Sequence, residues 1–344
     1  MKMQATLRRT LQTLIIAGLS VFAAAPAVAQ EQVEVTPQNY VRAESDFQMK
    51  GYVEKYDCFG KFVHSREAYD VNDQVTVRGN RDTFYSFGVF DLTSPLTVTM
   101  PDPKGRYQSI MAVNQDHSIG AVYGPTEVTL TKEKVGSRYV MLAIRTFADP
   151  DDEADVEAAS QLQDEVRIRQ ADMGLLEVPD WKREEVEEMR KTIMVVASTV
   201  SETSKMFGKK EKLDPVYWML GAALGWGGLP AEAATYENIV PEMNDGRTPY
   251  TLTVSDVPVD AFWSVTLYDA EGWIPLNEYN AYSFNNVTSE KNDDGSITIH
   301  FGGDPEQANF LPIVPGWNYI VRLYQPGPEI LDGSWTFPSP VAVK

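Results

Sequence analysis

Polar residues that alternate with apolar ones along short segments are where this sequence could do chemistry. Period two along residues 106–114 puts Arg106, Gln108 and Asn114 on one face of a strand. Along residues 319–324, Arg322 and Tyr324 share a face with Ile320, and along residues 261–268, Ser264, Thr266 and Tyr268 oppose Trp263, Val265 and Leu267. Arg145 ends an otherwise apolar strand, and Asn80, Asp82, Thr83, Tyr85 and Asp91 gather at the start of the first sheet. If such faces meet, they make a pocket of arginines, tyrosines and carboxylates. A guanidinium fork suits a carboxylate or sulfate on a ligand, and a tyrosine suits a sugar ring. The competing reading is that each sheet has a polar outer face and that buried Arg–Asp pairs tie a domain together. Antiparallel neighbours joined by short turns bring their ends together. Asp82, Tyr85, Arg106 and Asp116 are therefore expected to line one polar cavity, closed by Arg322 or Tyr268.

Standard catalytic signatures are missing: no Gly-x-Ser-x-Gly elbow, no phosphate-cradling glycine loop and no His-Glu-x-x-His helix. His64, His117 and His300 are far apart in sequence and do not by themselves make a metal cluster, so no metal site is expected and any cofactor stays open. Asp116-His117 is the best local pair, able to ligate a metal or to act as a base with an orienting carboxylate, or to be simply a turn beside a strand end. The one cysteine, Cys58, excludes an internal disulfide.

The chain begins with Lys2, Arg8 and Arg9, then an apolar run over residues 14–25, then Ala27-Val28-Ala29. That order reads as a secretory signal, residues 1–29, cut after Ala29 to leave a periplasmic or secreted protein. Its removal takes the formal charge from -19 to -22. So acidic a surface disfavours nucleic acid and anionic lipid as partners. About 315 residues remain, enough for two domains with real cores, and no later stretch is long and apolar enough to span a membrane.

The elements that must position the polar groups follow from periodicity. Thr36-Pro37 opens a helix reaching to about residue 59. Strands are expected over residues 83–90, 96–100, 106–114, 128–131 and 139–147, separated by turn signals such as Ser94-Pro95 and Asp102-Pro103-Lys104-Gly105. Helices are expected over residues 156–166, from Asp180 to about 206, and from Asp214-Pro215 to about 226. Strands return over residues 250–254, 261–268, 296–301 and 319–324, with Asp293-Asp294-Gly295 read as a hairpin turn. The fold class is α+β, mainly β, with two β-sandwich units joined by a helical middle: residues 30–149, 150–225 and 226–344.

Residues 84–91 and 262–269 echo one another at an offset of 178, and Arg145 and Arg322 stand 177 apart. The echo suggests two related β units with Ser86 and Ser264 equivalent; chance likeness of aromatic-rich strands is the alternative.

The run Asn80-Arg81-Asp82-Thr83-Phe84-Tyr85, then Asp91, then Pro101 with Gly105-Arg106-Tyr107, resembles the domain of unknown function 1254. Trp226-Gly227-Gly228-Leu229-Pro230, then residues 261–269, Asp294-Gly295-Ser296, Asn309-Phe310-Leu311-Pro312 and Val321-Arg322-Leu323-Tyr324 resemble the domain of unknown function 1214. The resemblance implies an exported bacterial protein that pairs the two, with a jelly-roll-like C-terminal unit, and it implies no activity. Three functions fit. The first is an envelope protein binding a small polar or saccharide-like ligand through Asp82, Tyr85, Arg106, Asp116, His117, Tyr268 and Arg322. The others are a hydrolase or lyase acting on a saccharide or other small polar substrate, and a structural or assembly protein of the envelope. Oligomeric state is left open.

Overall fold

The computed structural model describes residues 32–74, 78–197, 199–200 and 204–343. The signal sequence and its cleavage site lie outside them. The first helix, α1 (Tyr40–Tyr56), starts at Asn39, later than Thr36-Pro37 suggested, because residues 37–39 form a turn whose Asn39 Oδ1 accepts from Thr36 N at 2.7 Å. Strands β1 (Val63–His64), β2 (Thr83–Asp91), β3 (Leu96–Met100), β4 (Gln108–Asn114), β5 (Ile119–Tyr123) and β6 (Thr126–Leu130) follow. After a single helical turn, α2 (Lys132–Val135), comes β7 (Tyr139–Phe147). The middle holds α3 (Glu153–Glu165), β8 (Arg167–Gln170), α4 (Arg183–Ala197) and α5 (Pro215–Leu224). Helix α3 is capped by Asp152, whose side chain accepts from Ala154 N and Asp155 N, and α5 is capped by Asp214 with Pro215 at its first position.

The C-terminal part adds β9 (Ala234–Ile239), β10 (Tyr250–Val254), β11 (Trp263–Tyr268), β12 (Ser283–Asn285), β13 (Ile297–Phe301), β14 (Phe310–Leu311) and β15 (Asn318–Tyr324). A turn of helix, α6 (Pro328–Leu331), and β16 (Val341–Ala342) end it. Four sheets result: β1-β2-β7-β4-β5, β6-β3-β8, β12-β11-β15-β9 and β14-β13-β10-β16. The fold is mainly β, two sandwiches joined by a helical middle.

Two differences from expectation stand out. Strand β8, inside the helical middle, pairs with β3 and completes the second sheet. Its sequence Arg-Ile-Arg-Gln is a short, exposed edge with no apolar face to reveal it. Asp293-Asp294-Gly295 is a turn but not a hairpin, because β12 before it pairs with β11 while β13 after it pairs with β10.

The sheets stack in four layers. Apolar side chains of the first sandwich, including Leu96, Val98, Ile110 and Leu142, form one core. Leu252, Val265, Ile299, Trp317 and Leu323 form the core of the second. The two inner sheets then pack on each other through Met111, Phe147, Phe262 and Tyr324. A strand covered on both faces has no solvent side, which is why every residue of β7, β11 and β15 is buried. Helices α1, α4 and α5 pack together through Tyr40, Val186 and Leu220.

Candidate functional site

The inner layer between the two central sheets is where the polar strand faces meet. In an antiparallel sheet, directly opposed residues point to the same side. The register aligns Tyr85 with Arg145, Arg145 with Ser109, and Ser109 with Tyr123, one row across β2, β7, β4 and β5. Across from it, Asn285, Ser264, Arg322 and Tyr236 make a row over β12, β11, β15 and β9. Aromatic rings close the layer beside these rows. The Tyr107 ring lies 5.4 Å from both Phe262 and Tyr324, and Phe262 stacks on Tyr324 at 4.2 Å.

Asp82 enters this layer from the segment leading into β2 and is 2% exposed. Its Oδ2 accepts from Ser264 Oγ at 2.6 Å and from Tyr324 OH at 3.2 Å, while Oδ1 has no partner among the described residues. Burial pushes its carboxyl up, against the opposing pull of Arg322. Arg322, 3% exposed, donates to Thr266 Oγ1 at 2.8 Å, to Tyr268 OH at 2.6 Å and to the carbonyls of Arg78 and Gly79. Tyr268 OH donates to the Gly79 carbonyl at 2.6 Å. Four of the expected residues, Asp82, Tyr85, Tyr268 and Arg322, therefore share one layer, and three of them bind residues 78–82 of the first half to the second.

Tyr85 and Arg145 form the other centre. The Arg145 guanidinium sits 5.3 Å from the centre of the Tyr85 ring, and Asn80 Nδ2 donates to Tyr85 OH at 3.1 Å. Burial would raise the Tyr85 phenol, but the Arg145 charge and the Asn80 hydrogen bond outweigh it and hold the phenol below its ordinary value.

Arg106, Asp116 and His117 lie outside this layer, so the single cavity expected from the sequence does not form. Arg106 precedes β4 and reaches the Asp82 end of the sheet, but it is taken by Asp155, with hydrogen bonds of 2.8 and 2.5 Å, and by the Phe147 carbonyl. Asp116 follows β4, seven residues of strand away, or about 24 Å. There it pairs with Arg42 of α1 at 2.7 Å. His117 is fully buried at φ 52°, stacked on Trp226 at 6.0 Å. Its Nε2 accepts from Gly227 N at 3.0 Å, and Nδ1 has no partner among the described residues. Burial drives its pKa down to about 3, so it is a neutral ring there. Among the described residues no three His, Cys, Asp or Glu side chains gather so as to hold a metal ion.

The internal echo does not carry over to roles. Residues 84–91 and 263–268 do form β2 and β11, each paired with an arginine-bearing strand. But Tyr85 opposes Arg145, whereas Ser264 opposes Arg322. Ser86 thus faces away from the layer, toward His64, whose Nδ1 lies 2.8 Å from its Oγ, while Ser264 faces into it.

Sequence reasoning noted Arg145 as a polar group on an apolar strand but did not include it, Tyr107 or Tyr236 among the expected ligand-binding residues. The cross-strand register of β2, β7 and β4 would have found Arg145, but register is set by pairing rather than by local pattern. It also missed a cleft of about 580 Å³ on the outer side of the same segment. Arg81 and Phe84 face this cleft, while Asp82 and Tyr85 face the inner layer. Residues 66–72 of the first sandwich, 150–156 of the helical middle and 276–282 of the second sandwich complete its wall. Arg81 spans it, donating to the Tyr69 carbonyl at 2.7 Å and lying 5.0 Å over the Tyr282 ring.

No curated protein matches this chain. The solved VPA0106 protein from Vibrio parahaemolyticus is similar over 89% of this chain and 98% of its own, with a TM-score of 0.66 and 17% identity, a likeness of fold. An uncharacterized protein from Burkholderia cenocepacia covers 89% of this chain and 88% of its own at a TM-score of 0.48 and 14% identity. Residues 59–129 match the family model of the protein of unknown function DUF1254, and residues 235–328 match that of the protein of unknown function DUF1214, so both families are present in this chain, one in each sandwich.

Proposed function

We propose that this is an exported protein of the cell envelope that binds a small, hydroxyl-rich, saccharide-like ligand in the cleft between its two β halves. The observation that carries the reading is the cleft itself. At about 580 Å³ it falls within the size range of small-molecule sites, and residues of both halves line it. Asp70, Asp151, Asn277 and Asn280 offer acceptors and donors for hydroxyls, and Tyr282 offers a ring to a sugar face. Arg106 and Asp116, expected beside Asp82 in one polar cavity, are paired instead with Asp155 and Arg42, and this favours binding over catalysis.

Titration calorimetry against neutral oligosaccharides, uronic acids and small dicarboxylates tests it. A neutral saccharide is expected to bind, and Asp151→Ala, a change on an exposed turn, is expected to weaken binding several-fold with an unchanged melting temperature. Heat from none of these compounds, or binding indifferent to Asp151, overturns the proposal. Export is tested by N-terminal sequencing of protein from fractionated cells. A mature chain starting at Gln30 is expected, and an intact Met1 form in the cytosol refutes it.

A further inference from the structure

Charge does not balance in the inner layer if only carboxylates are counted. Two arginines are buried there, Arg145 at 8% and Arg322 at 3% exposure, against one carboxylate, Asp82. Asp82 belongs to the Arg322 side, where Ser264 and Tyr324 hold it. Arg145 has no such carboxylate partner among the described residues; its guanidinium donates to Met111 Sδ at 3.7 Å and is hydrogen-bonded to the Tyr85 phenol. A guanidinium left in so enclosed a place without an anion is costly.

The hydrogen bonds around Tyr85 show which group can supply the anion. Asn80 Oδ1 accepts from Asp82 N at 2.9 Å, and this fixes which way the amide points. Its NH2 must then face the two phenols, donating to Tyr85 OH at 3.1 Å and to Tyr324 OH at 2.9 Å. Tyr324 passes its own proton on to Asp82. Tyr85 has the Asn80 amide, the Thr83 hydroxyl and the Arg145 guanidinium in hydrogen-bond reach of its oxygen, and among the described residues no carboxylate or carbonyl takes its proton. The arrangement differs from that of every neighbouring phenol. Tyr107, in the residue before β4, is pushed up to about 12 by burial, and Tyr52 of α1, Tyr123 of β5, Tyr236 of β9 and Tyr324 of β15 are likewise raised by burial.

We propose that Tyr85 stands as a phenolate, the counter-ion of Arg145, and forms a resident general base in the layer between the two central sheets. Tyr85, Asn80 and Tyr236 each keep some accessible surface although they stand in this layer, so the layer is not sealed beside Tyr85. The ligand class is a neutral hydroxyl compound or carbon acid. When it gives its proton to Tyr85 the phenol becomes neutral, and the ligand's conjugate base takes over as the anion beside Arg145, so the charge of the layer is conserved. This site is separate from the cleft, and its test needs no ligand.

The test is the ultraviolet spectrum. Tyrosinate absorbs to the red of neutral tyrosine, and an unfolded chain at neutral pH holds its tyrosines protonated. The folded full chain at neutral pH is expected to show the tyrosinate absorbance of one residue, lost on unfolding in denaturant at the same pH. Tyr85→Phe and Arg145→Met are each expected to abolish it. A folded protein without that absorbance, or one that keeps it in folded Tyr85→Phe, overturns the proposal. If neither variant folds, acid titration of the wild type decides: a band that bleaches only below neutral pH supports the phenolate, and a band that first appears in alkali refutes it.

Discussion

Asp91 offers the sharpest test of the energetics. It ends β2 with its side chain fully buried, and five hydrogen bonds converge on it. Arg138 supplies three, from Nε at 3.2 and 3.1 Å and from Nη2 at 2.8 Å. Thr93 supplies two, from its N–H at 2.8 Å and its hydroxyl at 2.6 Å. Burial alone would raise the carboxyl, but these donors outweigh it and lower its pKa from the ordinary 3.8 to about 2. At about 1.4 kcal/mol for each pKa unit, that preference for the charged form stabilises the fold by about 2.5 kcal/mol. Because the folded value is depressed, the stabilisation is fully present above the unfolded pKa and is lost as pH falls through the folded one. The perturbation is Asp91→Asn, which keeps the shape, removes the charge and turns an amide toward Arg138. Urea unfolding of wild type and variant, measured at neutral pH and at steps from about pH 4 toward about pH 2, gives the difference between them. It is expected to be about 2–3 kcal/mol at neutral pH and to shrink through the acid window. A difference below about 1 kcal/mol at neutral pH, or one that stays constant through the window, refutes the reasoning.

Two further outcomes follow from buried groups. Trp317 is fully buried in the second sandwich against Phe301, at 5.0 Å, and its indole N–H has no partner among the described residues. Denaturant unfolding should show Trp317→Ala costing about 3–5 kcal/mol and Trp317→Phe, which removes the unpartnered donor, costing far less; equal costs would contradict this packing. His117 is held neutral, its pKa lowered from 6.5 to about 3 by burial, so only the unfolded chain takes up its proton on mild acidification. Stability should fall by about 1.4 kcal/mol per pH unit below about pH 6.5 on this account. His117→Asn, which suits the φ of 52° and does not titrate, should flatten that slope; an unchanged slope counts against it.

Much of the fold was legible locally. Strands β3, β7 and β10 match their expected bounds because β3 and β10 alternate apolar residues with threonine and β7 is a mostly apolar run, and α5 was marked by its Asp214-Pro215 start. Strands β1, β5, β8, β9, β12, β14 and β16 were not foreseen. They are short, or they are edges whose membership comes from a partner strand rather than from their own pattern. The site divides in the same way. Periodicity already placed Ser264, Thr266 and Tyr268 on one face of β11 and Arg322 and Tyr324 on one face of β15, because alternation is a property of the strand itself. Which face meets which was decided only by tertiary packing. The stacking of the two inner sheets brought Asp82 to Ser264 across 182 residues of chain, and a strand of seven residues kept Asp116 away from both. The register that set Tyr85 against Arg145 rather than giving it the role of its echo was likewise beyond local reading. A shift of one residue turns every side chain of a strand to the opposite face, and only the buried layer on each side selects one register over the other.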